Sequence, residues 1–157
     1  MLSWNQIVDE TYEDVYRYAR FLGGKKIEAE DLTHDAYEKF FKAQYAVDST
    51  AEAKKILFRI VSNSRTDIFR RTKVFAKILL DFNTYSQNAE FSDSLELQEM
   101  EKIISKLPER QRQVFILREA FDYSTEETAT LLSISTGSVK THLSRAQKNL
   151  RGKYEKS

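Results

Sequence analysis

The sequence predicts an all-α protein built from two small helical domains that are joined by a flexible linker. Apolar residues recur at three- and four-residue spacing along most of the chain, which is the period of amphipathic helices. Only four Gly and one Pro occur among the 157 residues. Gly and Pro are favoured in the tight turns between strands, so their scarcity disfavours a sheet of many strands. A stretch rich in Asn, Ser, Asp and Glu, 79–96, lies between two helical halves and contains no basic residue. It is the predicted linker.

The first half, residues 1–78, is predicted to form three helices. Their ranges are Leu2–Leu22, Ile27–Ala46 and about Ala51–Ile78. The pair Gly23-Gly24 ends the first helix, and the polar segment 46–50 connects the second to the third. The apolar stripes of the three helices predict one shared core.

The second half, residues 97–157, is predicted to form four shorter helices. Their ranges are about Leu95–Lys106, Pro108–Glu119, Thr125–Leu132 and Thr136–Tyr154. Pro108 suits the first position of a helix because its missing N–H would have no partner there. Ser124 and Glu127 have the spacing of a capping box at the start of the third of these helices.

The last two predicted helices have the pattern of a helix-turn-helix. Ser135 is a plausible N-cap for the last helix. A buried stripe is predicted from Val139, Leu143, Ala146 and Leu150. A polar and basic stripe is predicted from Lys140, Thr141, Ser144, Arg145 and Lys148. In DNA-binding proteins the second helix of this motif enters the major groove. The alternative is a helical bundle of other function, in which two amphipathic helices joined by a polar turn also occur.

Charge is unevenly distributed, although the net charge is only +1. Residues 53–79 contain eight basic and one acidic side chain, and residues 128–157 contain six and one. Basic blocks on helices are candidate phosphate-binding faces, and solvated surface is the alternative interpretation.

Several classes of protein are disfavoured by the composition. The absence of Cys excludes a disulfide framework and thiolate metal sites, and it fits a reducing cytoplasm. No apolar run approaches the roughly 20 residues that span a bilayer, and no signal peptide is apparent, so we expect no direct membrane insertion. His34 and His142 are the two histidines, and neither stands in a catalytic constellation. We therefore expect no enzymatic activity, no cofactor, no metal site and no small-molecule substrate.

Two parts of the chain resemble bacterial sigma factors of the extracytoplasmic-function group. The segment "LPERQRQVFILREAFDYSTEETATLLSISTGSVKTHLSRAQKNLR", Leu107–Arg151, resembles sigma region 4. The segments "AEDLTHDAYEKFF", Ala29–Phe41, and "ILFRIVSNSRTDIFRR", Ile56–Arg71, resemble sigma region 2. The domains implied are region 2 at 1–78 and region 4, with its helix-turn-helix, at 97–157.

Four positions depart from the family pattern. Ile56 stands where region 2 usually has Trp, and His34 where its clamp-binding helix usually has Gln. In region 4, Thr128 replaces the usual Ile and Ser133 the usual Gly of the turn. Ser133 would need a backbone conformation that Gly adopts more easily.

The resemblance implies a sigma factor that binds core RNA polymerase and directs promoter-specific transcription initiation. Region 2 would read and help to melt the minus-ten element, and region 4 would read the minus-thirty-five element as duplex. The family often has a partner anti-sigma factor, which these residues do not reveal.

The resemblance also implies roles for individual residues. Contact with core polymerase is expected from Glu30, Asp31, His34 and Asp35. Contact with minus-ten DNA is expected from Asn63, Arg65, Arg70, Arg71 and Lys73. Contact with minus-thirty-five DNA is expected from Ser138, Lys140, Thr141, Ser144, Arg145 and Lys148. Asn63 and the loop Ala46–Ala53 correspond to the family's pocket for a flipped base, and we hypothesise that they set the preferred base.

Alternative roles are open for several of these residues. Asn63 could be a buried packing amide, and Asp67 is expected to pair with Arg70 or Arg71 along the helix. Core packing is favoured over base stacking for three aromatic residues, Tyr45, Phe58 and Phe69. A stand-alone repressor would use the same helix-turn-helix, but it would not explain the second motif in the first half of the chain.

Overall fold

The computed structural model describes residues 2–22, 26–72, 99 and 102–155, and of 67–72 and 153–155 it describes the backbone only. The named helices are α1 (Trp4–Phe21), α2 (Lys26–Ala43), α3 (Thr50–Thr72), α4 (Glu109–Glu119), α5 (Thr125–Leu132) and α6 (Thr136–Glu155). A short helical segment at 102–105 precedes α4. Every regular element among the described residues is a helix, which confirms the predicted fold class.

The helix ends are determined by residues close by in the sequence. Ser3 caps α1 by accepting a hydrogen bond from the Gln6 N–H at 3.1 Å. Helix α2 ends at Ala43, three residues before the predicted Ala46, and Gln44 follows it with a φ of 53°. A residue in this left-handed conformation commonly terminates a helix. The predicted linker, 79–96, and the predicted last turns of the third helix lie outside the described residues.

The first three helices pack as a bundle in which each contacts the other two. Val15, Leu57, Phe58 and Val61 are fully buried between them. The buried hydroxyl of Tyr18 lies 2.6 Å from the Ser62 hydroxyl, so this polar pair is satisfied within the core. Helix α3 is thus packed against both α1 and α2.

Helices α4, α5 and α6 form a second cluster, in which α6 contacts both of the others. The predicted buried stripe of α6 is confirmed, because Val139 and Ala146 are fully buried and Leu143 and Leu150 are half-buried. The predicted capping box is also present. The Glu127 N–H donates to Ser124 Oγ at 3.0 Å, and the Ser124 N–H donates to Glu127 Oε1 at 3.1 Å.

The two clusters contact one another. Helix α3 packs against both α4 and α5, and the buried apolar residues of both clusters form one continuous core. Within the described ranges no helix is long and apolar enough to cross a membrane.

Candidate nucleic-acid interface

The turn between α5 and α6 fixes the start of the candidate recognition helix. Ser133 adopts φ 57° and ψ 44°, so it occupies the left-handed conformation that was expected where the family usually has Gly. The next N–H, of Ile134, donates to the Ala129 carbonyl at 3.0 Å and closes the end of α5. Ser135 then caps α6 by accepting from the Ser138 N–H at 3.0 Å, which confirms its predicted capping role.

The polar stripe of α6 faces away from the core. Its exposed members are Lys140, Thr141, Ser144, Arg145 and Lys148. Among the described residues, none of the three cations of the stripe forms an ion pair. Ser138 is half-buried, and its hydroxyl accepts from Ser135 Oγ at 2.9 Å. The stripe therefore presents unneutralised positive charge on one face of the helix, as phosphate binding requires.

His142 lies on α6 beside this stripe and is half-buried. Burial lowers the pKa of its imidazole, and the neighbouring Arg110 and Arg145 guanidinium groups lower it further. The ring is consequently neutral near pH 7, and the positive charge of this face comes from the Lys and Arg side chains.

On α3, Asn63 and Arg65 lie in different environments. The Asn63 side chain is exposed and has no hydrogen-bond partner among the described residues, so the alternative of a buried packing amide is wrong. The Arg65 side chain is 20% exposed, and its Nε lies 3.4 Å from Glu109 Oε1. The predicted contacts of Arg70 and Arg71 concern side chains that are not described, and Lys73 lies outside the described residues.

The connection before α3 is held by its own caps. The Glu52 N–H donates to Ser49 Oγ at 3.1 Å, and Glu52 Oε2 accepts from the Asp48 N–H at 3.1 Å. Asp48 is exposed, and its carboxylate has no partner among the described residues. Asp48 therefore offers an exposed carboxylate acceptor in this loop.

The acidic residues of α2 line a surface beside the bundle. Asp31 and His34 are exposed, whereas Glu30 and Asp35 are half-buried. Asp35 Oδ2 lies 3.0 Å from Lys39 Nζ. Among the described residues, no group of three or more His, Asp or Glu side chains is arranged to hold a metal ion. The face is suited to a basic or polar protein partner.

Two of the aromatic residues considered for base stacking have different surroundings. Phe58 is fully buried, which confirms the core prediction. Tyr45 is 41% exposed, with its ring centroid 5.5 Å from that of Phe40, so the core prediction is wrong for Tyr45. Tyr45 follows the early end of α2, and the shortened helix carries it to the surface. The Phe69 side chain is not described.

Comparison with known proteins identifies both halves of the chain. Sigma-70 region 2 matches residues 7–74, and Sigma-70, region 4 matches residues 97–150. The chain belongs to the sigma-70 family. It is a sigma factor of the extracytoplasmic-function group, and it directs promoter-specific transcription initiation with RNA polymerase.

Curated relatives match along nearly the whole chain. The RNA polymerase sigma-E factor of Streptomyces avermitilis is 29% identical over 158 residues, covering 99% of this chain and 87% of the relative. The ECF RNA polymerase sigma factor SigW of Bacillus subtilis is 29% identical over 168 residues, covering 95% and 87%.

Solved structures share the fold. The sigma factor RpoE of Bartonella quintana, in complex with the anti-sigma factor NepR, has a TM-score of 0.70 at 24% identity, covering 94% of each chain. CnrH, in complex with the cytosolic domain of CnrY, has a TM-score of 0.73 at 22% identity, covering 98% of this chain and 88% of that one.

Proposed function

We propose that this sigma factor divides promoter reading between residues 1–78, as region 2, and residues 97–157, as region 4, with 79–96 as the linker. The observation that carries the proposal is the exposed, unpaired basic stripe on the second helix of the helix-turn-helix. The matched family ranges, 7–74 and 97–150, support these boundaries.

Region 4 reads the minus-thirty-five element through α6. Lys140, Arg145 and Lys148 contact phosphates or the acceptor edges of bases. Thr141 and Ser144 offer hydroxyl groups that can donate to or accept from a base edge. Ser138 lies in the first turn of α6, where its backbone N–H donates to the capping Ser135 Oγ and its hydroxyl can approach a phosphate.

Region 2 reads the minus-ten element through α3 and the loop before it. Asn63 offers an exposed amide, which can both donate to and accept from the freed edge of a flipped base. Asp48, in the loop before α3, supplies an acceptor for an amino group. Phosphate contacts are assigned to Arg65, Arg70, Arg71 and Lys73.

Core polymerase binds the acidic face of α2, formed by Glu30, Asp31, His34 and Asp35. Asp31 and His34 are exposed, and His34 replaces the usual Gln without losing hydrogen-bonding capacity. The face lies on a different helix from the proposed DNA contacts, so both partners can be bound together.

The factor acts in the cytoplasm and performs no chemistry of its own, because the polymerase supplies the catalytic site. An anti-sigma factor is a further proposed partner. The two similar solved structures each contain a sigma factor bound by an anti-sigma protein.

The test is run-off transcription with core RNA polymerase on a promoter library randomised over both elements. We expect transcripts only when the chain and core are combined, with sequence enrichment at two separated positions. No enrichment with active core would refute the function. Nanomolar sequence-specific binding by the chain alone would instead favour a repressor.

A further inference from the structure

A lysine on α2 reaches the helix that carries Asn63. Lys39 Nζ donates to the hydroxyl of Ser64, on α3, at 3.2 Å. Ser64 directly follows Asn63, whose exposed side chain has no hydrogen-bond partner among the described residues. The Lys39 side chain is 54% exposed. Its ammonium group therefore lies at the surface, next to the residue that is proposed to read a flipped base.

The hydroxyl of Ser64 differs from its two neighbours on the same helix. Ser62 Oγ and Thr66 Oγ1 each donate to the carbonyl four residues earlier, at 2.8 and 2.9 Å. Ser64 Oγ accepts from Lys39 and, among the described residues, donates to no acceptor. A hydroxyl group can both donate and accept. The hydroxyl proton of Ser64 is thus available to a further group.

The two side chains together can bind a phosphate group. An ammonium group has three donors, of which Ser64 takes one, and it binds phosphate as a compact positive charge. Because Lys39 Nζ and Ser64 Oγ lie 3.2 Å apart, both can donate to the same phosphodiester. Arg65, the cation assigned to this part of α3, is only 20% exposed and is paired with Glu109. Of these two cations, Lys39 is the more accessible.

Asp35 competes for the same ammonium group. Its Oδ2 lies 3.0 Å from Lys39 Nζ, one turn earlier on α2. A carboxylate in this place neutralises the charge that a phosphate would meet, and it repels the phosphate itself. Asp35 also belongs to the face that is proposed to bind core polymerase. The Asp35–Lys39 pair therefore lies where the proposed polymerase and DNA surfaces meet.

We propose that Lys39 and Ser64 form a phosphate-binding site for the minus-ten strand, and that Asp35 holds Lys39 in the free chain until core polymerase engages that carboxylate. This inference rests on the proposed function. A polar or basic group of the polymerase that pairs with Asp35 releases Lys39 to the phosphate. The coupling is reciprocal, because DNA that takes Lys39 leaves the Asp35 carboxylate to the polymerase.

An ordinary surface ion pair is the alternative, and the chain contains a matched example of one. Lys42 Nζ lies 2.8 Å from Glu38 Oε1, at the same four-residue spacing on the same helix. Unlike Lys39, Lys42 has no hydrogen bond to α3 among the described residues. Substitutions at Lys42 and Glu38 therefore control for the loss of one charge and of one pair along the helix.

The first experiment removes the charge of each lysine. Holoenzymes with Lys39→Gln, Lys39→Arg or Lys42→Gln are assembled at saturating core polymerase. They are titrated at several salt concentrations with a forked DNA that carries the minus-ten sequence enriched from the promoter library. We expect Lys39→Gln to weaken binding about tenfold. The slope of log affinity against log salt should fall by about 0.7, the value of one phosphate contact on a single strand.

The two controls separate charge from helix stability. Lys39→Arg should restore the affinity and the slope, and Lys42→Gln should match wild type. Circular dichroism should be the same for all variants, because exposed ion pairs contribute little to stability. An unchanged salt slope for Lys39→Gln, or equal losses for the two glutamine variants, would overturn the phosphate site.

The second experiment asks whether Lys39 and Ser64 act as one site. Ser64→Ala should weaken binding of the same forked DNA about fivefold, the effect of one hydrogen bond. The double variant Lys39→Gln/Ser64→Ala should lose less than the product of the two single losses, because each change disrupts the same site. Ser64→Ala combined with Lys42→Gln should lose only what Ser64→Ala loses. Independent losses at Lys39 and Ser64 would contradict a shared phosphate.

The third experiment tests the competition by Asp35 in the free chain. Asp35→Asn and Glu38→Gln each remove one negative charge from α2, the first beside Lys39 and the second beside Lys42. The ligand is a fluorescent oligothymidine at low salt, because a phosphate contact does not depend on base sequence. We expect Asp35→Asn to raise affinity about fivefold, and Glu38→Gln to have a much smaller effect.

The gain from Asp35→Asn should disappear in a chain that also carries Lys39→Gln, because no ammonium group is then released. A gain that persists without Lys39 would show that general charge, and not the pair, is responsible. Equal gains for Asp35→Asn and Glu38→Gln would lead to the same conclusion and would overturn the proposed competition.

The two proposals fail in different ways. If the holoenzyme selects promoter sequences but Lys39→Gln binds like Lys42→Gln, the phosphate site is wrong and the sigma-factor function stands. If the chain directs core polymerase to no promoter, the proposed function is wrong. The oligothymidine comparison would still report whether Asp35 keeps Lys39 from a phosphate.

Discussion

The two helices that we propose to contact DNA differ in how accessible their basic side chains are. On α6, Lys140 and Arg145 are exposed and have no ion-pair partner among the described residues. On α3, Arg65 is mostly covered and paired with Glu109 of the other region. The positive charge of α6 is therefore accessible in the free chain, whereas the guanidinium of Arg65 on α3 is largely covered by the other region.

The largest expected effect is on the exposed helix. The double substitution Lys140→Ala/Arg145→Ala should weaken minus-thirty-five binding, because each lost charge-assisted contact costs about 1.5–3 kcal/mol. The measurement is a footprint of the holoenzyme over the upstream element. Lys102→Ala/Lys106→Ala, which removes two exposed charges elsewhere in region 4, is the control. An unchanged upstream footprint would show that α6 does not read this element.

The next effect concerns the proposed contact with core polymerase on α2. Asp31→Ala/Asp35→Ala should reduce affinity for core polymerase by about 2 kcal/mol or more. Helicity should be retained, because Asp31 is exposed and the Asp35–Lys39 pair is a partly exposed one of small value. Competition for core against another sigma factor measures the loss. Asp9→Ala/Glu10→Ala, on the exposed side of α1, should compete like wild type, and equal competition by all variants would contradict the assignment.

A smaller effect is expected for the exposed amide on α3. Asn63→Ala should lower promoter opening by about 1 kcal/mol, the value of one hydrogen bond, without reducing protein stability. Asn63→Asp keeps an acceptor and loses the donors, so it should alter base preference rather than abolish opening. Permanganate reactivity across a randomised minus-ten element reports both. Identical base preferences in all three proteins would remove Asn63 from the reading surface.

The smallest effect tests whether the two regions unfold together. Ser133→Gly in region 4 and Gln44→Gly in region 2 each replace a side chain at a left-handed position, with φ values of 57° and 53°. Relief of about 1–2 kcal/mol of strain, less the entropy cost of Gly, should stabilise each protein by about 0.5–1 kcal/mol. Urea unfolding measures this. Because the buried residues of both regions form one continuous core, both variants should shift one shared transition. Two separate transitions, each shifted by one variant, would indicate independent regions.

Much of the local structure could be predicted because its causes are local. Ser124 and Glu127 form their capping box within one turn, and Ser135 caps α6 in the same way. The left-handed conformation at Ser133 was expected from the resemblance, because the family usually has Gly at this position of the turn. The spacing of apolar residues predicted the exposed stripe of α6. Val139 and Ala146 face the core, so the opposite face of the helix remains in water.

Predictions that depended on packing were less successful. Tyr45 has the residue type of a core position, but the early end of α2 leaves it 41% exposed. Gln113 and Glu109 are buried although both are polar, and no prediction was made for either from the sequence. A buried polar residue has no sequence signal of its own, because its burial depends on partners such as Ser62 and Thr66, which are about fifty residues distant in the chain.

The sequence by itself determined the helices, the helix-turn-helix and the family, since these depend on periodicity, caps and motifs within short segments. Only the tertiary structure decided that Arg65 pairs with Glu109 and that Phe121 packs on Tyr18 and Phe58. Contacts of this kind require two surfaces that are distant in sequence to be complementary in both shape and charge. No local sequence pattern predicts such complementarity. That complementarity places the two halves in one continuous core.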